Sequence, residues 1–181
     1  MRRLFFAARP AGCTSRALAN AVAFAAGSLP GRPVEVADWH VTLSFLGPVD
    51  DVRIEPLCRQ SAAIEIAPFE LAFDRLEYWR RAKVLVASAS QEASDPTGRD
   101  LAETLMRLAQ GLAIKPDDKP WVPHLTLSRG VASHEVPPSL TDGALLLPAV
   151  PWSVESFHLV ESRSVGGRRY QTLASWPLRA L

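Results

Sequence analysis

The sequence predicts an α+β fold with two similar lobes, and three observations support this class. Segments of alternating apolar and polar residues, typical of half-buried strands, are interspersed with longer segments of helical composition. We expect the strands to be mostly antiparallel, with helices packed outside them. A short pattern that begins at His40 begins again at His124, nearly half of the 181-residue chain later. A repeat at that spacing suggests two lobes rather than a solenoid of short units.

The first half of the chain predicts strands and helices in alternation. We expect a strand over residues 2–9, a helix over 13–28 and the first repeated strand over 40–47. The breakers in residues 30–33 form a turn, and Gly47 with Pro48 closes the repeated strand. Asp50 and the next residue suit the positively polarised start of a helix that runs to about residue 64.

The second half continues this alternation and then loses its regularity. We predict strands over residues 68–80 and 83–88, a helix over 95–112 and the second repeated strand from residue 124. The proline-rich residues 131–151 predict a loop-rich crossing, with at most a short helix or strand around 144–147. Two final strands, 153–162 and 169–177, are joined by a hairpin loop over 164–168. Together these elements predict one bilobal domain over residues 1–181.

The two repeated strands carry the residues of chemical interest. The first copy is His-Val-Thr-Leu-Ser-Phe-Leu-Gly, and the second is His-Leu-Thr-Leu-Ser-Arg-Gly. Alternation assigns the first copy's side chains to two faces. One face has Val41, Leu43 and Phe45, and the other has His40, Thr42 and Ser44. If the lobes face each other, a shared cleft receives two imidazoles and two threonine hydroxyls.

This constellation suits acid–base chemistry on a phosphodiester. One of His40 and His124 can take a proton from water while the other gives a proton to the leaving oxygen. Histidine suits this task because both of its protonation states are populated near neutral pH. The hydroxyls of Thr42 and Thr126 can hydrogen-bond the non-bridging phosphate oxygens, more strongly as charge develops. The scheme requires no metal.

Two His-x-Thr strands in so short a chain resemble the 2H phosphoesterase superfamily. More narrowly, the sequence resembles the bacterial and archaeal 2′-5′ RNA ligase family, whose members act as RNA 2′,3′-cyclic phosphodiesterases. The matching segments are residues 3–10, 40–47, 123–129 and 159–178. The resemblance implies two pseudo-symmetric lobes around a central cleft. It also implies that His40 is the proton donor and His124 the proton acceptor.

Arg129 and four aromatic residues are further candidates for substrate binding. The resemblance implies a phosphate-binding basic residue at Arg129. Strict alternation points Arg129 away from His124, but the strand end at Gly130 lets the backbone turn it back. The candidates for stacking on a base are Trp39, Tyr78, Trp79 and Trp121, although each also suits the core or the lobe interface.

Composition limits the range of partners. The formal net charge is only +1, so the chain lacks the basic surplus of a bulk nucleic-acid binder. We expect RNA 3′ ends with a 2′,3′-cyclic phosphate, or small cyclic nucleotides, as partners. Cys13 and Cys58 form no CxxC pair or Cys/His cluster, and we expect neither a metal nor a cofactor. No segment predicts a membrane span, and we expect a cytoplasmic monomer.

The sequence leaves several alternatives open. The same four histidine and threonine residues would serve a phosphodiesterase acting on a small nucleotide such as ADP-ribose 1″,2″-cyclic phosphate. The site run in reverse would join RNA ends through a 2′-5′ linkage. A non-catalytic RNA- or nucleotide-binding module would keep the cleft but would not need two imidazoles. A metal hydrolase would need a further His or carboxylate ligand at a suitable spacing.

Overall fold

The computed structural model of the chain describes residues 1–90, 95–141, 143–163 and 169–179, and it confirms the predicted α+β class. Its helices are α1 (Gly12–Ala26), α2 (Ile54–Ser61), α3 (Pro96–Gly111) and α4 (Pro138–Thr141). Its strands are β1 (Arg2–Ala8), β2 (Arg32–Pro33), β3 (Val41–Val49), β4 (Phe69–Trp79), β5 (Val84–Ser88), β6 (His124–Arg129), β7 (Leu145–Val154), β8 (Ser156–Ser162) and β9 (Tyr170–Pro177).

The strands form one antiparallel path with a narrow junction at its centre. The order is β7-β4-β5-β6-β3-β1-β8-β9, and β2 pairs with β6 outside this path. The two motif strands β3 and β6 lie side by side, paired through Val41 and Leu125. We therefore describe a first lobe, strands β1, β3, β8 and β9, and a second lobe, strands β4 to β7.

The two lobes are not consecutive halves of the chain. The first lobe combines strands from both ends of the sequence, whereas the second comes from the middle. The helices also cross between lobes: α1 follows β1 but packs against β7, and α3 follows β5 but packs against β3. Buried apolar side chains from both lobes belong to one hydrophobic cluster. This exchange of elements holds the motif strands side by side at the centre.

The largest departure from the sequence prediction is β7. We predicted a loop-rich crossing with at most four residues of regular structure, but Leu145–Val154 forms a ten-residue strand paired with β4. The strand contains Pro148 and Pro151, which cannot donate ladder hydrogen bonds. It lies at the end of the sheet order, where hydrogen bonds are needed on one side only, so prolines are tolerated there.

Several predicted boundaries also move. The strand β3 does not close at Gly47 and Pro48 but continues to Val49, and the predicted turn over residues 30–33 contains the short strand β2. The predicted helix from residue 50 to 64 begins with a 3-10 turn and ends at Ser61. The strand predicted to begin at residue 153 begins at Ser156, because Ser153 and Val154 belong to β7. The predicted hairpin loop over 164–168 lies outside the described residues.

Two local features of the fold bear on stability. The Arg2 guanidinium donates two hydrogen bonds of 2.9 Å to the carboxylate of Glu161, and Arg163 donates a third. A Cβ atom at Gly98 in α3 would lie 2.7 Å from the ring of Trp121, so only glycine fits there without displacing that ring. None of the helices in the described part of the chain has the length and apolar character needed to cross a lipid bilayer.

Candidate active site

The register between the motif strands sets the geometry of the site. Val41 is the antiparallel partner of Leu125, and both residues are fully buried. His40 and His124 each precede one member of this pair, so both lie on the opposite face, towards the cleft. The pair acts as a local two-fold centre that relates the two histidines. The predicted convergence of the two motifs is therefore present in the structure.

The same register places the threonines. Continuing the pairing by one residue in each direction sets His40 opposite Thr126 and Thr42 opposite His124. Both threonines are half-buried, as are both histidines. Each imidazole thus lies across from the hydroxyl of the other motif, so the two motifs build one site together.

Each imidazole is fixed by the main chain in the same way. The Nδ1 atom of His40 lies 2.7 Å from the carbonyl oxygen of Asp38, and Nδ1 of His124 lies 2.8 Å from that of Val122. A carbonyl oxygen can only accept, so Nδ1 carries the proton and donates in both cases. The Nε2 atom of each ring is then left to exchange protons with a ligand.

His40 is packed between aromatic rings. Its ring centroid lies 5.0 Å from that of Phe5 and 4.8 Å from that of Tyr170, which meets it edge-on. This burial lowers the pKa of His40 to about 4, although the hydrogen bond to Asp38 opposes the shift. The positive charges of Arg9, Arg129 and His124 lower the pKa further. The ligand-free site thus favours a neutral His40.

His124 is packed against Trp79, a contact that the sequence did not predict. The ring centroids are 4.3 Å apart. The Trp79 indole N–H donates to the carboxylate of Glu77 at 3.3 Å, and Ser88 donates to the same oxygen at 2.7 Å. Burial lowers the pKa of His124, and the charge of Arg129 lowers it as well, while Glu77 opposes the shift. Glu77 therefore positions Trp79, and its negative charge also favours the protonated form of His124.

A β-bulge brings Arg129 to the cleft face. Strict alternation would turn Arg129 away from His124, but the pairing of β6 with β5 shifts by one residue between Thr126 and Ser128. Ser128 is consequently buried, with its hydroxyl bonded to the carbonyl of Pro30, and Arg129 is half-buried. The Arg129 guanidinium lies 3.4 Å from the hydroxyl of Tyr170.

The first motif carries the same bulge, which corrects the predicted faces of β3. The pairing of β3 with β1 shifts between Thr42 and Ser44. Ser44 is therefore buried rather than on the histidine face. Phe45 does not join the main core but is half-buried against a separate apolar cluster, which consists of Phe5, Ala7, Val160 and Tyr170. Phe45 and Arg129 thus occupy equivalent positions in the two lobes.

The structure separates the four aromatic candidates. Trp39 is only 7% exposed and donates to the carbonyl of Val34, so it is a core residue. Tyr78 donates its hydroxyl to the carbonyl of Val131. Trp79 and Trp121 line a cavity of about 550 Å³ that reaches His124 and Thr42, as well as side chains of α3. These two tryptophans are the candidates that the fold brings to the site.

Comparisons with known proteins match this architecture. The family model for the 2′-5′ RNA ligase superfamily matches residues 17–166. A Geobacillus stearothermophilus protein named RNA 2′,3′-cyclic phosphodiesterase is 32% identical over 163 residues, which cover 85% of this chain and 50% of that protein. An Escherichia coli protein of the same name is 31% identical over 153 residues, which cover 82% of this chain and 80% of that protein. The chain thus spans about half the length of the Geobacillus protein.

Solved structures share the fold over nearly the whole chain. The crystal structure of Escherichia coli LigT complexed with 3′-AMP has a TM-score of 0.81 and 26% sequence identity, with 98% of each chain covered. A crystal structure described as a phosphoesterase gives a TM-score of 0.82 at the same identity and coverage. This chain therefore shares its fold with both of these structures.

Proposed function

The chain belongs to the 2′-5′ RNA ligase superfamily, and we propose that it hydrolyses RNA 2′,3′-cyclic phosphate ends to 2′-phosphomonoester ends. The observation that carries this proposal is the pair of imidazoles on neighbouring strands. Each has Nδ1 bonded to a main-chain carbonyl, and within the described residues no hydrogen bond engages Nε2. Two proton-transfer groups that face one volume from opposite sides suit a reaction in which one proton is taken as another is given.

The proposed reaction uses the two histidines in opposite roles. Nε2 of His124 takes a proton from water as the water oxygen forms a bond to phosphorus. The bond between phosphorus and the 3′ oxygen breaks, and Nε2 of protonated His40 gives that oxygen its proton. The products are a 3′-hydroxyl and a 2′-phosphomonoester. The assignment of donor and acceptor follows the family resemblance, because the two halves of the site are close to mirror images.

Three further residues hold the phosphate in this proposal. The hydroxyls of Thr42 and Thr126 hydrogen-bond its non-bridging oxygens from the two strands. Arg129 is a candidate for this role because the register shift in β6 turns it to the cleft face, where its guanidinium lies 3.4 Å from the Tyr170 hydroxyl. A guanidinium there stabilises the charge that develops on phosphorus oxygens in the transition state. The bound phosphate in turn raises the pKa of His40 and favours its protonated form.

A base of the bound nucleotide can reach the cavity that extends from Thr42 to His124. Trp79 and Trp121 offer apolar faces there, and base–aromatic stacking contributes about 1–3 kcal/mol per base. The Escherichia coli relative has been crystallised with 3′-AMP and with ATP, which are nucleotides. The same site run backwards would join a cyclic phosphate end to a 5′-hydroxyl through a 2′-5′ linkage.

A phosphodiesterase acting on small cyclic nucleotides is the second candidate. The net charge of +1 favours it, because no general basic field draws a long RNA to the protein. A cyclic mononucleotide or ADP-ribose 1″,2″-cyclic phosphate would need the same two histidines and two threonines.

The decisive experiment offers both kinds of substrate to the protein in excess EDTA. One is a short RNA ending in a 2′,3′-cyclic phosphate, and the other is a nucleoside 2′,3′-cyclic phosphate. We expect metal-independent turnover of the RNA to a 2′-phosphate end, identified by chromatography against synthetic RNAs that end in a 2′-phosphate and in a 3′-phosphate. Turnover of the small substrate alone would favour the second candidate. Tight binding without turnover of either would indicate a binding module and overturn the proposed reaction.

A further inference from the structure

Arg9 is half-buried, and two nitrogen atoms of its guanidinium are shielded from solvent. Its Nε and Nη2 atoms have no hydrogen-bond partner in the described part of the chain. The contrast with Arg2 is sharp, since the same two atoms of Arg2 each bond the carboxylate of Glu161. Burying a charged donor without an acceptor is costly, so such a group calls for an explanation. An anion that enters from outside the protein would supply the missing acceptors.

Arg9 lies on the cleft face, one step beyond the end of β1. Ala7 pairs with Thr42 on one side and with His158 on the other, so the three side chains share a face. Arg9 is two residues after Ala7, just past the end of β1 at Ala8, and continued alternation would turn it to that same face. His158 has its Nδ1 atom 2.8 Å from the hydroxyl of Ser175, which leaves its Nε2 for another partner.

The strand β1 lies beside β3 on the side away from β6, and Ala8 pairs with Val41, so Arg9 lies next to His40 on the side away from His124. Its charge lowers the pKa of His40 and of His158, whereas that of Arg129 acts on His40 and His124. Arg129 therefore flanks the reacting phosphate, and Arg9 flanks the outer side of His40. A phosphate bound by Arg9 is a different phosphate from the one that reacts.

The proposed chemistry indicates which phosphate this is. In a phosphoryl transfer the attacking and leaving oxygens lie roughly in line, so water at His124 puts the leaving 3′ oxygen at His40. That oxygen stays on the terminal ribose, which therefore lies on the side of His40. The 5′ oxygen of the same ribose carries the phosphodiester that joins it to the rest of the RNA. This phosphodiester extends past His40, towards Arg9.

We propose that Arg9, with His158 beside it, binds the phosphate on the 5′ side of the terminal nucleotide. The inference rests on the proposed hydrolysis and deepens it, because it assigns a subsite that distinguishes an RNA end from a free cyclic mononucleotide. A planar guanidinium matches phosphate oxygens with two parallel hydrogen bonds. A 5′-phosphomonoester has the same chemistry as the internal phosphodiester, so both serve as test ligands.

The test compares three substrates. They are adenosine 2′,3′-cyclic phosphate, the same compound with a 5′-phosphate, and a dinucleotide ending in a 2′,3′-cyclic phosphate. We expect Arg9→Gln to lower kcat/KM about 10- to 100-fold for the two substrates with a 5′-side phosphate, mainly through KM. The kcat/KM for adenosine 2′,3′-cyclic phosphate should change less than about twofold. In the Arg9→Lys variant, part of the loss on the other two substrates should be restored. Arg16→Gln, at an exposed position of α1, is the matched control and should change none of them.

Two outcomes would overturn the subsite. An equal loss on all three substrates would mean that Arg9 acts on the reacting phosphate or on His40. No loss on any substrate would mean that Arg9 binds none of them. A loss on the dinucleotide but not on the 5′-phosphomonoester would identify the diester as the ligand and would support the subsite.

A binding measurement separates this inference from the proposed hydrolysis. Calorimetry with adenosine 2′-monophosphate and adenosine 2′,5′-bisphosphate requires no turnover. We expect the wild-type protein to bind the bisphosphate more tightly and Arg9→Gln to lose that preference. If the wild-type protein hydrolyses none of the substrates yet shows this preference, the reaction is wrong and the subsite stands. Equal affinity of the wild-type protein for both nucleotides would overturn the subsite.

Discussion

Burial shifts the protonation of His40 towards the neutral form in the ligand-free site. With the pKa of His40 at about 4, about one molecule in a thousand carries the imidazolium at pH 7. An unperturbed histidine would be protonated in roughly one molecule in four at that pH. The main cause is burial beside Phe5 and Tyr170, so Tyr170→Ala should raise the midpoint by roughly one pH unit. Phe24→Ala, at an exposed aromatic of α1, should leave it unchanged.

The assay is a ¹H–¹³C NMR titration of the four histidines in the ligand-free protein. We expect a His40 resonance that titrates well below pH 6, with a midpoint that rises when a 2′-phosphate nucleotide binds. We also expect that kcat/KM falls about tenfold per unit above pH 7, since free enzyme must carry protonated His40 and neutral His124. A His40 midpoint at or above 6.5, or one that Tyr170→Ala does not move, would refute the reasoning from burial.

Two further predictions concern the stability of the fold. The Arg2 and Arg163 guanidinium groups hold the pKa of Glu161 at about 2, below its ordinary 4.5. Ionised Glu161 therefore stabilises the fold above pH 4.5, and this contribution is lost as the pH falls towards 2. Solvent screens the partly exposed Arg2, so we expect Glu161→Gln to lower the free energy of unfolding in urea by about 1–2 kcal/mol at pH 7. This difference should shrink by pH 3, and a difference that stays unchanged would count against the ion pair. Gly98→Ala should lower the free energy of unfolding by about 1–3 kcal/mol because the new methyl group meets the ring of Trp121. Gly111→Ala in the same helix places a methyl group with nothing within 4 Å and should not destabilise the fold. Equal effects of the two substitutions would argue against the steric explanation.

The sequence predicted the central elements well because their patterns are local. Alternation and the His-x-Thr repeat located β3 and β6, and the helix predicted over residues 95–112 agrees with α3 to within one residue at each end. The strand β7 escaped prediction because Pro148 and Pro151 are breakers in most strands. They are tolerated here only because β7 lies at the end of the sheet order, a property of the tertiary fold.

The two histidines and two threonines were predicted to share a cleft, and the register of β3 and β6 brings them together, but the side chains around them were not predicted. One-residue shifts of register in β3 and β6 are invisible in the alternation, yet they bury Ser44 and bring Arg129 to the cleft face. The contact of Trp79 with His124 joins residues far apart in the chain. The two unpartnered nitrogen atoms of Arg9 likewise emerge only from the packing of the described residues around it.

The central claim is that His40 and His124 act together on one phosphodiester. The most direct test is hydrolysis of an RNA with a 2′,3′-cyclic phosphate end in excess EDTA, comparing His40→Ala, His124→Ala and the wild-type protein. General acid–base groups contribute about 10²–10⁴-fold, so we expect a loss of that size in each variant. His134→Ala, at an exposed histidine, should keep the full rate. Wild-type rates in either cleft variant would contradict the account.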